Sequence, residues 1–270
     1  MYNNKSGEIV DSIRVKNLTF GYTNNIVFDN IDFNMPLSSC SIIGPSESGK
    51  TTLLRLLSGR ETGKGSILIN SIDLNDNNFK LLRRYLAVVF KDSPFVKERV
   101  IDELRFPLEN QGIKPQDISN QVNILLDYFG IQELSLISVD NLTFSEKIKI
   151  RILSYLIMKP RYLALDDLLI ETDSFFVSQL ISYLKANNIY LINVTTNMEE
   201  LLYTDYVVCL YNHKIGFEGE LKQIVKEEKL FKRMGMSLPF IVDLSIQLKY
   251  YGLINEIYFN QNDLLEAIWK

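Results

Sequence analysis

Gly44-Pro45-Ser46-Glu47-Ser48-Gly49-Lys50-Thr51-Thr52 follows the mostly apolar run Cys40-Ser41-Ile42-Ile43 and leads into Leu53, Leu54, Leu56 and Leu57. The whole reads as G-x-x-x-x-G-K-[ST] in a strand–loop–helix setting. Such a loop dictates a ligand, because backbone N–H groups at a helix start form a concave cradle for phosphate oxygens. The Lys50 ammonium can reach the β- and γ-phosphates, and the Thr51 hydroxyl can sit on Mg²⁺. Gly44, Pro45, Ser46, Glu47, Ser48, Gly49, Lys50, Thr51 and Thr52 are therefore the candidate nucleotide-binding set.

The chain has 270 residues, 46% of them hydrophobic and 23% charged, enough for one large domain or a domain with a sizeable appendage. A net charge of −4 gives no support for nucleic acid as the main partner. Cys40 and Cys209 lie inside apolar runs and read as buried reduced thiols of a cytosolic protein, not as a disulfide or metal site. No stretch approaches about 18 uninterrupted apolar residues, and residues 1–8 lack an apolar signal core. Any membrane role is expected to come through a partner.

Residues 13–20 alternate apolar and polar as a half-buried strand does, and a turn at Thr23-Asn24-Asn25 leads to a second strand, Ile26–Met35. Strand 40–43, the phosphate loop and helix 50–58 follow, and Gly63–Gly65 starts a strand over 66–70. The continuous apolar runs 85–90, 161–166 and 189–194 read as buried central strands. Residues 97–158 are mostly helical in pattern, broken near Gly112–Pro115 and Gly130. A hairpin is expected over 206–218 around Asn212-His213, with His213 an exposed turn residue. Residues 220–270 are mostly amphipathic helix. Strands interleaved with helices imply an α/β fold with a largely parallel sheet covered on both faces and an antiparallel strand pair at the front.

A phosphate loop of this kind needs a carboxylate at the end of a neighbouring strand to help hold Mg²⁺. Asp166 ends the apolar run 162–165, and Asp167 follows where a base for an attacking water would sit. The order of parts then resembles the ABC ATPase family over about residues 13–220. Tyr22 stands at the position of the aromatic that stacks on adenine. Asn141-Leu142-Thr143-Phe144-Ser145-Glu146-Lys147 stands where the signature L-S-G-G-Q belongs, Asp173 matches the D-loop Asp, and Val194-Thr195-Thr196-Asn197-Met198-Glu199-Glu200 stands where V-T-H-D-M-E-E is expected. Phe106-Pro107-Leu108-Glu109-Asn110-Gln111-Gly112-Ile113 is similar to F-G-x-E-N-x-G-I of the energy-coupling-factor ATPases of cobalt and vitamin importers. Ser237–Leu244 and the ending Leu264–Lys270 resemble that subfamily's C-terminal helices.

The resemblance implies a P-loop NTPase of ABC ATPase type: a mixed, mainly parallel sheet, an antiparallel front sheet, a helical subdomain and a C-terminal helical extension. Expected boundaries are a tail over 1–12, an ATPase domain over 13–220 with its helical subdomain at about 92–160, and the extension over 221–270. It implies ATP and Mg²⁺ as cofactors, the metal held by Thr51 and Asp166. It also implies a second ATPase subunit, whose nucleotide would face Thr143, Phe144, Ser145 and Glu146, a transmembrane coupling subunit, and a peripheral place on the inner face of the cell membrane.

The chain departs from the family at the catalytic positions. The base is Asp167 rather than Glu, one methylene shorter, and a displacement of about 1 Å can cost a hundredfold in rate. The switch histidine is Thr196, which cannot carry a positive charge. The signature glycines, which allow close backbone approach, are Phe144 and Ser145, and Glu146 brings a negative charge toward a polyanion. Thr143 and Glu146 also fit the helix-capping pattern S/T-x-x-E. The expected Gln is Lys91, in a segment about two residues short, the usual docking region for a transmembrane partner. Weak or absent intrinsic hydrolysis and pairing with a paralogue, a heterodimer rather than a homodimer, are the expectations. The alternatives are a non-transport, ATP-dependent regulatory or structural switch and, less favoured, an active ATPase in which Asp167 suffices. Whichever holds, Lys50→Ala should abolish saturable MgATP binding measured by equilibrium titration; unchanged affinity would remove the basis for all three.

Overall fold

The computed structural model describes residues 12–23 and 25–269. The tail expected over 1–12 lies, apart from Ser12, outside the described residues, as do Asn24 of the first turn and the final Lys270. In chain order the elements are β1 (Ile13–Tyr22), β2 (Asn25–Met35), β3 (Cys40–Ile43), α1 (Lys50–Leu57), β4 (Lys64–Ile69), β5 (Ile72–Asp73), α2 (Phe79–Leu82) and β6 (Leu86–Val89). They continue with α3 (Val100–Asn110), α4 (Pro115–Phe129), α5 (Phe144–Leu156), β7 (Tyr162–Asp166), α6 (Ser174–Ala186), β8 (Tyr190–Val194), β9 (Tyr206–Tyr211) and β10 (Lys214–Glu220). The last three are α7 (Glu228–Arg233), α8 (Phe240–Tyr250) and α9 (Gln261–Ile268). The fold is α/β. Among the described residues no helix is long and apolar enough to cross a membrane.

The described residues form two compact units, one of 12–53, 62–71 and 193–269, the other of 54–61 and 72–192. In the first, β1 pairs antiparallel with both β2 and β4. Its inward residues are Ile13, Val15 and then Leu18, a break in the period of two. The cause is a bulge: the register slips between Val15 and Leu18, and Asn17 sits at φ 49°. β4 starts at Lys64 rather than at 66. Gly65 belongs inside the strand because a Cβ there would lie 2.6 Å from the Lys16 carbonyl oxygen and 2.5 Å from that of Asn17. β3 pairs in parallel with β9, from Cys40 opposite Tyr206 to Ile43 opposite Cys209, and β9 turns back into β10. All four β3 residues are buried, which is why this stretch does not alternate. Ile43 shares an apolar cluster with Met198, Leu201, Cys209, Phe231, Leu238 and Val242, so α7 and α8 rest on the same core as the strand before the phosphate loop. Both cysteines are free and buried; burial raises both thiol pKa values, that of Cys209 to about 12.

In the second unit β6 and β7 pair in parallel, Leu86 with Tyr162 through Val89 with Leu165. The core around them takes Leu104 and Leu108 from α3, Val122 and Leu126 from α4, Ile148 and Ile152 from α5, and Leu180 from α6. The expected helix breaks occur where their chemistry requires. Pro115 opens α4, and Gly130 ends it in the left-handed region at φ 63°. α6 was not anticipated, although Phe176, Val177, Leu180 and Leu184 mark its buried face and Asp173 caps it by accepting the Phe176 N–H at 2.8 Å. Ahead of α3 the chain is held by Glu103, only 6% exposed, whose Oε2 accepts the N–H groups of Val96 (2.8 Å) and Lys97 (2.7 Å). Removing a charged acceptor from two amides costs about 3 kcal/mol. Glu103→Ala should therefore lower the urea midpoint by that amount of unfolding free energy, and Glu103→Gln, which keeps an acceptor, by less than half of it.

Candidate functional site

The buried strand β3 delivers the chain into a loop that only particular backbone conformations allow. Gly44 has φ 155°, and a Cβ on it would lie 2.4 Å from the Leu210 carbonyl oxygen and 2.6 Å from Ser48 Oγ. Gly49 has φ 94°, and a Cβ there would lie 2.6 Å from Val27 Cγ1. Between them the loop turns back on itself, with the Ser48 N–H donating to the Pro45 carbonyl at 3.2 Å. The α1 ladder begins at once, the Leu53 N–H donating to the Gly49 carbonyl at 2.8 Å. Lys50, 8% exposed, donates from Nζ to the carbonyl oxygens of Gly44 (2.8 Å) and Pro45 (2.9 Å). A buried ammonium is tolerated only when partnered, and here it closes the loop into a ring that concentrates positive potential. Ser48 Oγ is buried and makes no hydrogen bond. A glycine-shaped cradle, a helix N-terminus, a buried cation and an unsatisfied hydroxyl fit a phosphate chain.

Glu47 has φ 65°, a conformation that costs a side-chain-bearing residue about 1 kcal/mol. With Tyr22, Asn25, Ile26, Val27, Asp29, Asn212 and His213 it lines a cavity of about 670 Å³. Tyr22 is held edge-on against Phe20, ring centroids 4.9 Å apart, and is 38% exposed. An exposed, braced aromatic beside a phosphate cradle suits a flat base.

His213, read from sequence as a bystander, stands in this wall. The turn Asn212-His213 has φ 48° and 63°, and it is strapped to β2. The Asp29 N–H donates to the His213 carbonyl at 3.2 Å, and Lys214 pairs with Asp29 at 2.8 Å. His213 Nδ1 lies 3.2 Å from the Val27 carbonyl; a carbonyl only accepts, so Nδ1 carries the proton.

Thr196 is exposed and directly follows Thr195, which is buried and donates its N–H to the Ile42 carbonyl at 3.2 Å. The segment that bears Thr196 is thereby hydrogen-bonded to the strand that feeds the phosphate loop. Thr52 is buried and Thr51 half-buried on the first turn of α1; Pro45 is half-buried and Ser46 exposed.

In the other unit Asp166 is half-buried at the end of β7, and Asp167 follows at φ 56°, a left-handed conformation that Asp tolerates better than most residues. Thr143 and Glu146 form a complete capping box on α5. The Thr143 N–H donates to Glu146 Oε2 at 2.8 Å, and the Glu146 N–H donates to Thr143 Oγ1 at 3.3 Å. Hydrogen bonds from Thr143 hold the Glu146 carboxyl below the usual carboxylate range, so it stays ionised. Ser145 is half-buried, and Phe144 points a half-exposed ring outward. Lys91 forms an ion pair with Glu171 and lies 5.1 Å from the centroid of the Phe144 ring. Asp173 joins its capping bond to an ion pair with Lys149 at 2.5 Å.

The family model described as ABC transporter matches residues 28–169, more than half of the chain. The chain belongs to the ABC transporter family. This ABC chain is 29% identical over 270 residues to the energy-coupling factor transporter ATP-binding protein EcfA1 of Streptococcus agalactiae, covering 96% of this chain and 97% of the relative. Two solved structures share its fold. One is cbiO1 of Clostridium perfringens, described as part of the ABC transporter complex cbiONQ, with TM-score 0.71 and 23% identity over 84% of this chain and 94% of that one. The other is the ATP-binding cassette MJ0796, a dimer bound to ADP and Pi, with TM-score 0.69 and 18% identity over 77% and 98%.

Glu47 gives a direct handle on the cradle. Glu47→Gly relieves the left-handed strain and removes a carboxylate from the approach of a polyanion. It should tighten MgATP-analogue binding roughly 3- to 10-fold in fluorescence titration; weaker binding would contradict the placement of this side chain beside the ligand.

Proposed function

We infer that this chain is the ATP-binding subunit of an energy-coupling-factor-like importer. It binds MgATP at a subunit interface, hydrolyses it slowly or not at all by itself, and pairs with a second, paralogous ATPase chain. The observation that carries the nucleotide reading is the closed phosphate loop, with Lys50 on its own carbonyls and Ser48 Oγ unsatisfied inside it. ABC membership supports ATP as the ligand, and the near full-length likeness to EcfA1 supports the importer assignment.

Tyr22 takes the base, the amides of 44–52 with Lys50 take the phosphates, and Thr51 and Asp166 hold Mg²⁺. The metal, when bound, offsets charge on the triphosphate. Asp167 would orient a water, and Thr196 would offer one hydrogen bond to a terminal phosphate. Neither matches a longer carboxylate or a cation, and such groups are worth about 10² to 10⁴ each in rate. The signature segment, with Phe144 and Ser145, would meet a partner's nucleotide less closely than glycines would. Selection of cargo belongs to other chains, and a peripheral location on the inner membrane face follows from a transmembrane partner.

The experiment is steady-state ATPase of the purified chain, alone and with its paralogue and membrane partner. The lone chain should turn over negligibly while binding MgATP. Asp167→Glu combined with Thr196→His should raise turnover by about 10² or more in the complex. Brisk hydrolysis by the unaltered lone chain would overturn the reading, and failure to co-purify with any membrane protein would favour a nucleotide-gated switch without transport.

A further inference from the structure

α8 begins with Phe240 behind Pro239, which offers no side-chain cap. The first free amide of the helix is satisfied from 41 residues away, the Phe240 N–H donating to Glu199 Oε1 at 2.6 Å. A carboxylate at a helix start both accepts a hydrogen bond and meets the positive end of the helix dipole. Glu199 lies three residues after Thr196, at the head of the 3₁₀ segment Met198–Tyr203.

From there the hydrogen bonds run on to β3, the strand that enters the phosphate loop. The Glu199 N–H donates to Asn197 Oδ1 at 3.1 Å, and the Asn197 N–H donates to Thr195 Oγ1 at 2.9 Å. The Thr195 N–H donates to the Ile42 carbonyl at 3.2 Å, two residues before Gly44. An apolar link runs beside this polar one, because Ile43, Met198, Leu238 and Val242 belong to one buried cluster. Two independent contact chains thus join the start of α8 to the residues on either side of Thr196 and to the strand entering the loop.

We propose that Glu199 is a positioning residue, whose carboxylate ties the start of the C-terminal helix α8 to the Thr196 segment, so that nucleotide at the phosphate loop and the conformation of α8 report on one another. This rests on the reading that Thr196 faces the terminal phosphate. Phe240 is 70% exposed, so water can serve its N–H when the carboxylate is gone. The bond is therefore dispensable for folding and free to act as a link. Such coupling is reciprocal: whatever engages α8 changes nucleotide affinity by the factor with which nucleotide changes the engagement of α8.

The test is amide hydrogen exchange of the full chain with and without MgATP, read at residues 195–200 and 240–243. In the unaltered protein MgATP should slow exchange in both segments. Glu199→Ala should speed exchange at 240–243 about fivefold, the factor of one helix cap, and abolish their response to MgATP while 195–200 still respond. Glu199→Gln, which keeps the acceptor, should restore the response at 240–243. If Glu199→Ala does not fold, Glu199→Asp, whose carboxyl falls about one bond short, reads the same loss. An unaltered protein that protects 195–200 but not 240–243 overturns the proposal, as does Glu199→Ala with an undiminished response. An unaltered protein with no saturable MgATP binding overturns the nucleotide reading itself.

Discussion

The Lys50 ammonium, folded onto the carbonyl oxygens of Gly44 and Pro45, is the interaction on which the local structure turns. A lysine 8% exposed has given up most of its hydration, and the two carbonyls supply part of what replaces it. The loop thereby holds a cation in place beside the cradle, which favours binding of a polyanion. The strand, the turn and the helix around it follow from that requirement. Ile42 and Ile43 are fully buried so that the strand cannot shift, and Gly44 and Gly49 have no side chain where Leu210 and Val27 press close.

Much of this was legible in the sequence because it is local. The phosphate loop, the buried runs that became β3, β7 and β8, the helix breaks at Pro115 and Gly130, and the capping box of Thr143 and Glu146 all depend on residues within a few positions of one another. What escaped was long-range. The place of His213 in the wall beside Tyr22 rests on a contact with Val27 across 186 positions, the partner of Lys91 lies 80 positions away, and the cap of α8 comes from 41 positions upstream. No periodicity encodes such contacts. The bulge at Asn17 and the helix over 174–186 are different cases. Asn17 disturbs the alternation of β1 by one residue, and the run Ser-Phe-Phe-Val-Ser-Gln-Leu-Ile hides a helical face within residues that favour strands. The roles proposed for Asp166 and Asp167 come from their place at the end of an apolar run, whereas that of Thr196 comes from motif order alone.

The C-terminal helices enter the same physical account. They do not form a separate core: Phe231, Leu238 and Val242 fill a cluster that already contains Ile43 and Cys209. A change in the packing of α7 or α8 is therefore felt at the residue that precedes Gly44, because close-packed interiors transmit strain rather than absorb it. An appendage joined in this way is a natural place for an assembly partner to act on nucleotide binding.

The altered signature region can be understood through charge. Glu146, expected to face a partner's nucleotide, and Glu171 are both carboxylates of the second unit, and negative charge there would weaken that meeting. The structure shows each one already engaged: Glu146 closes the capping box of α5, and Glu171 is paired with Lys91. The capping role fixes Glu146 in its ionised form, so its charge persists. Lys91, with its ammonium between Glu171 and the Phe144 ring, offsets one negative charge and shields the aromatic face. An exposed pair of this kind contributes little stability. Its effect is on the field, since a Gln at position 91 would leave Glu171 uncompensated. Lys91, Phe144 and Glu171 therefore form one electrostatic unit, and changing any one of them alters the field felt by the other two.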